Sequence, residues 1–540
     1  MILTNTEYGL WLFSVKDILT LKILLTGRRK KMLKKVLAVL MSATFVLGVA
    51  GCGSSKTSDE KTTETENTGE STKDTLTIAY TTDPEGFDPQ RTAAISTLEV
   101  TSNIFDTLIT CDADWNIIPD LAKDWTISDD GKEITFNLNE GVLFHNGREM
   151  TADDVKYSFE RLQDAESPKA KMYANIIGID VIDPYTIKFT TEKLDVDLLD
   201  SFAYPWTAIV PEEAADNLKT EPVGTGAYKF VQWTPQESIT LVRNDDYFGE
   251  KANIENVQYK LIPDMTSQLA ALMVGDVDIT EVTADQIDVL NNTDGVKGFS
   301  KPQNSIQILA LNQENEYLSN EKVRQAIAMA IDKDEIINTV VWGNGTKIGS
   351  HLPVSSPYYV DTTDVMPYNV EKAKALLAEA GYPDGITLSL KLPKTYQTHV
   401  DTGTIIADQL SKIGVKCNIE IIEWATWMSD VYTDHKYDMT VVAHSGRLDP
   451  YNFLSRYKST SGDYISLLSG DVDALLDEAV QEQDEAKRKE IYAEIQKILA
   501  EEVPCVYIQS LSKFYGLNDK VENFDIYPID MLNLKAVSFS

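Results

Sequence analysis

The sequence predicts an α/β protein of more than one folded body, and three observations carry that expectation. Short β-branched and aromatic runs alternate along the chain with stretches whose apolar residues recur every three or four positions. Hydrophobic residues make up 43% and charged residues 25% of the 540 positions, the balance of a globular chain with ample core. At roughly 150 residues per domain, that length corresponds to about three domains.

The elements follow in chain order. Residues 76–80 (LTIAY) read as a strand, stopped by the turn cluster Asp83-Pro84-Glu85-Gly86. Residues 92–108 read as helical and 133–138 as an alternating strand. Thr151-Ala152-Asp153-Asp154 has the form of a capping box, with Val155, Phe159 and Leu162 following on one helical face. Asp153 and Asp154 are therefore expected at a helix N-terminus, which favours carboxylates, and not in acid/base chemistry. Residues 323, 326, 327, 330 and 331 share a second helical face. Residues 371–380 form a third helix, closed by Gly381. Residues 472–500 read as two helices or one long one, and 503–509 return to a strand. No repeat of solenoid period is present.

The N-terminus sets the compartment. Residues 32–52 (MLKKVLAVLMSATFVLGVAGC) carry cationic Lys34 and Lys35, then an apolar run over 36–49 that is too short for an ordinary membrane-spanning helix. The run ends in Val49-Ala50-Gly51-Cys52, which resembles a bacterial lipobox: cleavage before Cys52 and lipidation of its thiol are expected. The alternative is a signal anchor with an incidental cysteine. Residues 1–51 are thus read as a signal peptide. Its first 31 residues, with Glu7, Asp17 and the basic run 28–31, read as a gene-model extension ahead of a true start at Met32, or else as an unusually long n-region. Residues 53–75 contain no aliphatic or aromatic side chain, so 52–75 are expected to be a lipidated cysteine and a flexible linker.

The whole chain has 49 basic and 84 acidic residues, a net charge of −35, and without residues 1–51 it would have 489 residues at −41. Such acidity repels phosphates, so no nucleic-acid partner is expected. Four cysteines exclude a disulfide-built scaffold. With Cys52 lipidated, Cys111, Cys417 and Cys505 remain, an odd number that leaves at least one free thiol. Cys417 and Cys505 lie on expected strands, and their pairing stays open. There is no GxxxxGK[ST], GxSxG, HExxH or paired CxxC, so no catalytic residue is expected. His145, His351, His399, His435 and His444 are scattered, which favours loop or core roles over metal ligation.

What stands out is a series of longer stretches. Residues 118–125 (IPDLAKDW) lead through 128–136 (SDDGKEITF) to 141–147 (GVLFHNG) and 151–161 (TADDVKYSFER). Then come 222–230 (PVGTGAYKF) with 243–247 (RNDDY), 323–327 (VRQAI) with 330–333 (AIDK), and 371–377 (EKAKALL) with 380–382 (AGY). In this order, from about residue 76 to 540, they resemble the family 5 extracellular solute-binding proteins, the oligopeptide, dipeptide and nickel receptors of ABC importers.

The resemblance implies a two-lobed periplasmic-binding-protein fold with a hinge and an extra subdomain on the first lobe. The first lobe would comprise residues 76–110, 220–302 and 513–540, the inserted subdomain 111–219, and the second lobe 303–512. The Gly224-Thr225-Gly226 turn would be the re-entry to lobe one; with no GK[ST] after it, a phosphate loop is not expected. The implied function is a lipid-anchored, monomeric extracytoplasmic receptor that closes on a peptide or peptide-like solute. It would deliver that solute to permease subunits and their ATPase, with no cofactor and no bound metal. Alternatives are a receptor for nickel or a metal chelate, and a peptide-signal capture protein working without transport.

In peptide-binding members an acid shortly before an Asp-Pro pair holds the peptide ammonium. Here Asp449-Pro450 is present, but Gly446-Arg447 replaces the acid, so Arg447 is expected either to grip a carboxylate or phosphate or to pair with an acid of a neighbouring lobe. Trp424 and Trp427 stand where cleft aromatics occur, or else in the core. Asn304, Ser305 and Gln307 near the hinge, and Tyr80 with the 83–87 loop, complete the expected ligand contacts.

Overall fold

The structure, a computed structural model, describes residues 73–540. The expected signal peptide, Cys52 and most of the linker lie outside the described residues. The last three residues expected in the linker are already part of the body. Lys73 Nζ lies 2.7 Å from both carboxylate oxygens of the fully buried Asp278, and Thr75 opens the first strand.

An eleven-stranded mixed sheet runs through the molecule. One half is centred on Thr75–Tyr80, which pairs in parallel with Asn256–Leu261 and Ile279–Glu281. The hairpin of Tyr228–Thr234 and Ser238–Arg243 finishes that edge. The other half is built from Ile386–Pro393, parallel to both Val415–Ile422 and Met439–Ser445. Parallel strands are covered on both faces, which is why Leu76 to Ala79 are buried without alternation.

Two long antiparallel strands, Val296–Leu311 and Cys505–Asn518, belong to both halves. Their register breaks between Pro302 and Ile306, where residues 303–305 face only Leu511. Proline has no N–H to give the ladder, so regular pairing stops and a bulge forms.

Residues 122–191 build a separate four-stranded antiparallel sheet with the helix Ala152–Leu162 across it. Phe136, Phe159, Phe189 and Phe202 interlock there at ring separations of 4.8–5.9 Å. Glu133–Leu138 alternates as expected, with Ile134, Phe136 and Leu138 inward. The capping box also forms: Thr151 N donates to Asp154 Oδ2 at 2.9 Å, and Asp154 is gripped by Arg148.

Three expectations are sharpened. The stretch 92–108 is helical only over Ile95–Thr101, because the Asn103 and Ile104 carbonyls accept from Tyr228 N and Gly226 N instead of continuing the helix. Residues 472–500 divide into Asp473–Ala479 and Glu485–Glu502, the second started by the Asp484 carboxylate accepting from Ala486 N and Lys487 N. Cys111, Cys417 and Cys505 are all unpaired thiols.

Candidate ligand cleft

The bulge and the strands beside it put polar side chains where the two lobes meet. Gln303 and Asn304 come from the bulge, Lys513 from the facing long strand, and Ser445 from the end of Met439–Ser445. Gln303, Ser445 and Lys513 floor a cleft of about 450 Å³. The first lobe walls it with Tyr80, Glu99, Tyr259 and Glu281, and the C-terminal segment adds Asp530. A smaller pocket of about 100 Å³ adjoins it, lined by Tyr204, Asn304 and Tyr527, and shares Gln303, Ser445, Lys513 and Asp530.

Lys513 Nζ sits 2.9 Å from Glu99 Oε1 and 3.4 Å from Glu281 Oε1. Burial opposes its charge, but Glu99, Tyr515 and Glu281 outweigh that effect and raise its pKa. Burial raises the Glu99 carboxyl, against the downward pull of Lys513. Asp530 stays solvent-exposed. No reactive constellation forms: the cleft has no nucleophile beside a base. Among the described residues no three His, Cys, Asp or Glu side chains gather so as to hold a metal ion, and no helix is long and apolar enough to cross a membrane.

The sequence profile of the bacterial extracellular solute-binding proteins, family 5 (Middle), matches residues 116–464, more than half of the chain. The chain belongs to that family. Members are binding proteins, so this is a solute-binding protein and not an enzyme. Heme-binding protein A of Haemophilus influenzae is 28% identical over 91% of this chain and 96% of its own length. Di/tripeptide-binding protein 1 of Pseudomonas aeruginosa is 27% identical over 84% and 92%. The ABC transporter-associated periplasmic binding protein DppA of Helicobacter pylori, solved with the peptide STSA, superposes with a TM-score of 0.70. It is 27% identical and the match covers 87% of this chain and 98% of that one. The two-lobed fold is the one these relatives share.

Within this solute-binding protein the expected contacts part company. Tyr80 lines the cleft, its hydroxyl donating to Asp83 Oδ1 at 3.1 Å. Asn304 lines the smaller pocket. Gln307 does not reach either cavity. It is fully buried, bonded to His399 Nδ1 at 2.9 Å and accepting from Gln509 Nε2 at 2.9 Å, because its strand has by then entered the second-lobe core. Ser305 is buried opposite Ser445. Trp424 stacks on Trp427 at 4.9 Å, and Trp427 Nε1 donates to Thr440 Oγ1 at 2.9 Å, so the pair packs the second lobe away from the cleft. In the 83–87 loop, Asp83 accepts from Tyr80 and Trp233, and Phe87 is buried.

Arg447 does not pair with an acid of a neighbouring lobe. Its Nη2 lies 3.0 Å from Met172 Sδ, its guanidinium is 5.7 Å from the Tyr204 and Trp206 rings, and it lines neither cavity. Among the described residues it forms no ion pair. The reason is that Leu448 beside it is a core residue, plugged into the inserted subdomain's cluster with its N–H on Tyr204 Oη at 3.0 Å.

Asp449 is likewise internal. Its Oδ1 accepts from Tyr451 N at 2.8 Å and Tyr492 Oη at 2.9 Å, and its Oδ2 lies 3.7 Å from Arg488 Nε. It faces Asp197 across the contact with the inserted subdomain, and burial together with Asp449 raises Asp197 to about 7. An acid whose folded pKa exceeds its unfolded value holds its proton in the fold, so stability declines as pH rises from about 4 to about 7. Asp197→Asn is expected to remove that slope, gaining on the order of 1–2 kcal/mol over the parent at pH 8 and nothing at pH 4. Urea titrations at the two pH values measure it.

Glu99, Glu281, Gln303, Ser445, Lys513 and Asp530 were not expected at the site. Only position mattered as a signal: 303 and 513 are where the expected crossings begin.

Proposed function

We propose that this protein is a lipid-anchored extracytoplasmic receptor that captures a peptide or peptide-like solute between its lobes and delivers it to an ABC permease. The observation that carries the reading is the cleft at the two-strand crossing, with polar groups from both lobes facing one solute-sized volume. The names of the relatives as di/tripeptide-binding and peptide-complexed proteins point to the ligand class. The lobe division at 76–110, 220–302 and 513–540, 111–219, and 303–512 is part of this reading, supported by apolar clusters centred on the inserted sheet and on each lobe. A solute touching both walls favours the closed arrangement by its differential affinity, and the register break offers the place to bend. Anchoring at Cys52 follows from the lipobox resemblance.

Native mass spectrometry of the purified protein, followed by thermal melts with di- and tripeptides, tests the reading. A peptide at a hundredfold excess over its Kd is expected to stabilise the fold by about 2.7 kcal/mol. Melts unchanged across the peptide panel, but raised by heme or a nickel chelate, would replace it with the chelate reading.

A further inference from the structure

We propose that the interlobe cleft selects a solute of net positive charge, holding an ammonium or guanidinium group between the Asp530 carboxylate and Asn304 Oδ1. The inference rests on the receptor reading and adds the ligand's charge class.

The first argument is charge. Glu99, Glu281 and Asp530 line the cleft against a single cation, Lys513. Lys513 is already committed to Glu99 and Glu281, so it offers little to an incoming carboxylate. Arg447 and Lys169, the other cations whose charge reaches Asp530, line neither cavity. A net-neutral peptide would leave the excess negative charge standing, and an acidic one would add to it inside walls that weaken solvent screening.

The second argument is independent of that count. Asn304 is 9% exposed, and its Nδ2 donates to the carbonyls of Arg447 and Pro528 at 3.2 Å each. Those two bonds settle which way the amide points and leave Oδ1 buried with no protein donor. Such an acceptor carries a desolvation cost until an N–H reaches it. Asp530 lines the same small pocket, is exposed, and forms no ion pair or side-chain hydrogen bond among the described residues. Two free acceptors in one pocket fit a group with several N–H donors on one centre, which describes an ammonium or a guanidinium.

Isothermal titration calorimetry on the mature chain with Lys-Lys-Lys, Ala-Ala-Ala, Glu-Glu-Glu and the non-peptide cation spermidine tests this. Lys-Lys-Lys is expected to bind at least tenfold tighter than Ala-Ala-Ala, and Glu-Glu-Glu weakest. Asp530→Asn, at an exposed and unpaired position, is expected to keep the parent's melting temperature. The same variant should cut the Lys-Lys-Lys preference by several-fold. Equal affinities for the three peptides, or a preference untouched by Asp530→Asn, would overturn the inference and leave the receptor reading standing. Binding of spermidine alone supports the charge assignment and overturns the peptide reading. No binding by any probe overturns the inference.

Discussion

Gly226→Val is expected to lower the unfolding free energy by about 3 kcal/mol or more, read as a shift of the urea midpoint, because the turn at 224–226 lies directly on another backbone. A Cβ at Gly226 would stand 2.5 Å from the Ile104 carbonyl carbon, 2.6 Å from Asn103 O and 2.7 Å from Ile104 O. At Gly224 it would stand 2.1 Å from Ile104 O. Neither glycine has a positive φ, so close approach and not turn geometry demands them.

The clash cannot relax cheaply. Shifting 103–104 would strain Gly226 N to Ile104 O (2.9 Å) and Tyr228 N to Asn103 O (3.0 Å). It would also strain the Asn103 side-chain bonds to Leu532 O (2.7 Å) and Leu534 N (3.0 Å). These tie the helix Ile95–Thr101, the re-entering chain and the C-terminal segment into one knot. That helix carries Glu99 and the C-terminal segment carries Asp530, so the variant is also expected to loosen the cleft. An unchanged midpoint would refute the packing argument.

Arg324→Met is expected to cost about 3–5 kcal/mol, the range for breaking a buried ionic contact from one side. Arg324 is 3% exposed, and its guanidinium serves four acceptors at once. Nε donates to Glu502 O at 2.9 Å, Nη1 to Leu318 O at 3.1 Å and Ser319 O at 3.3 Å, and Nη2 lies 3.2 Å from Glu502 Oε2. Two of these acceptors belong to the C-terminus of the helix Glu485–Glu502, where free carbonyls and the helix dipole both favour a cation. Methionine keeps the apolar stem and strands the acceptors. Lysine is expected to recover only part of the loss, since a single ammonium cannot reproduce the planar fork. Chemical denaturation of the two variants beside the parent decides it, and equal losses would count against the fork.

Local patterns were legible wherever a short stretch determines its own structure. The 133–138 alternation, the Thr151–Asp154 box and the 323–331 stripe all needed only neighbours in sequence, and Gly381 follows its helix with φ +99°. The site was much less so. Tyr80 and Asn304 reach the cleft, but Gln307, three residues beyond Asn304, has crossed into the core. The bulge at 303–305 decides that, and it depends on what the partner strand presents opposite Pro302. Trp424 and Trp427 are residue types that suit a ligand, yet they stack on each other. Arg447 and Asp449 drew attention through a local motif and turned out to be held by residues far away in sequence, Met172 and Arg488.

The sequence by itself determined the class of this protein: an acidic α/β chain with family 5 motifs in order, no catalytic signature, and a lipobox-like leader. Those are properties of composition and short-range pattern, which survive without knowing any long-range contact. The tertiary structure alone decided which side chains share the cleft. Glu99, Glu281, Lys513 and Asp530 are separated by up to 431 positions and meet only because two strands cross between the lobes. Charge selectivity depends on distances of a few ångströms between such residues, and no local pattern records them.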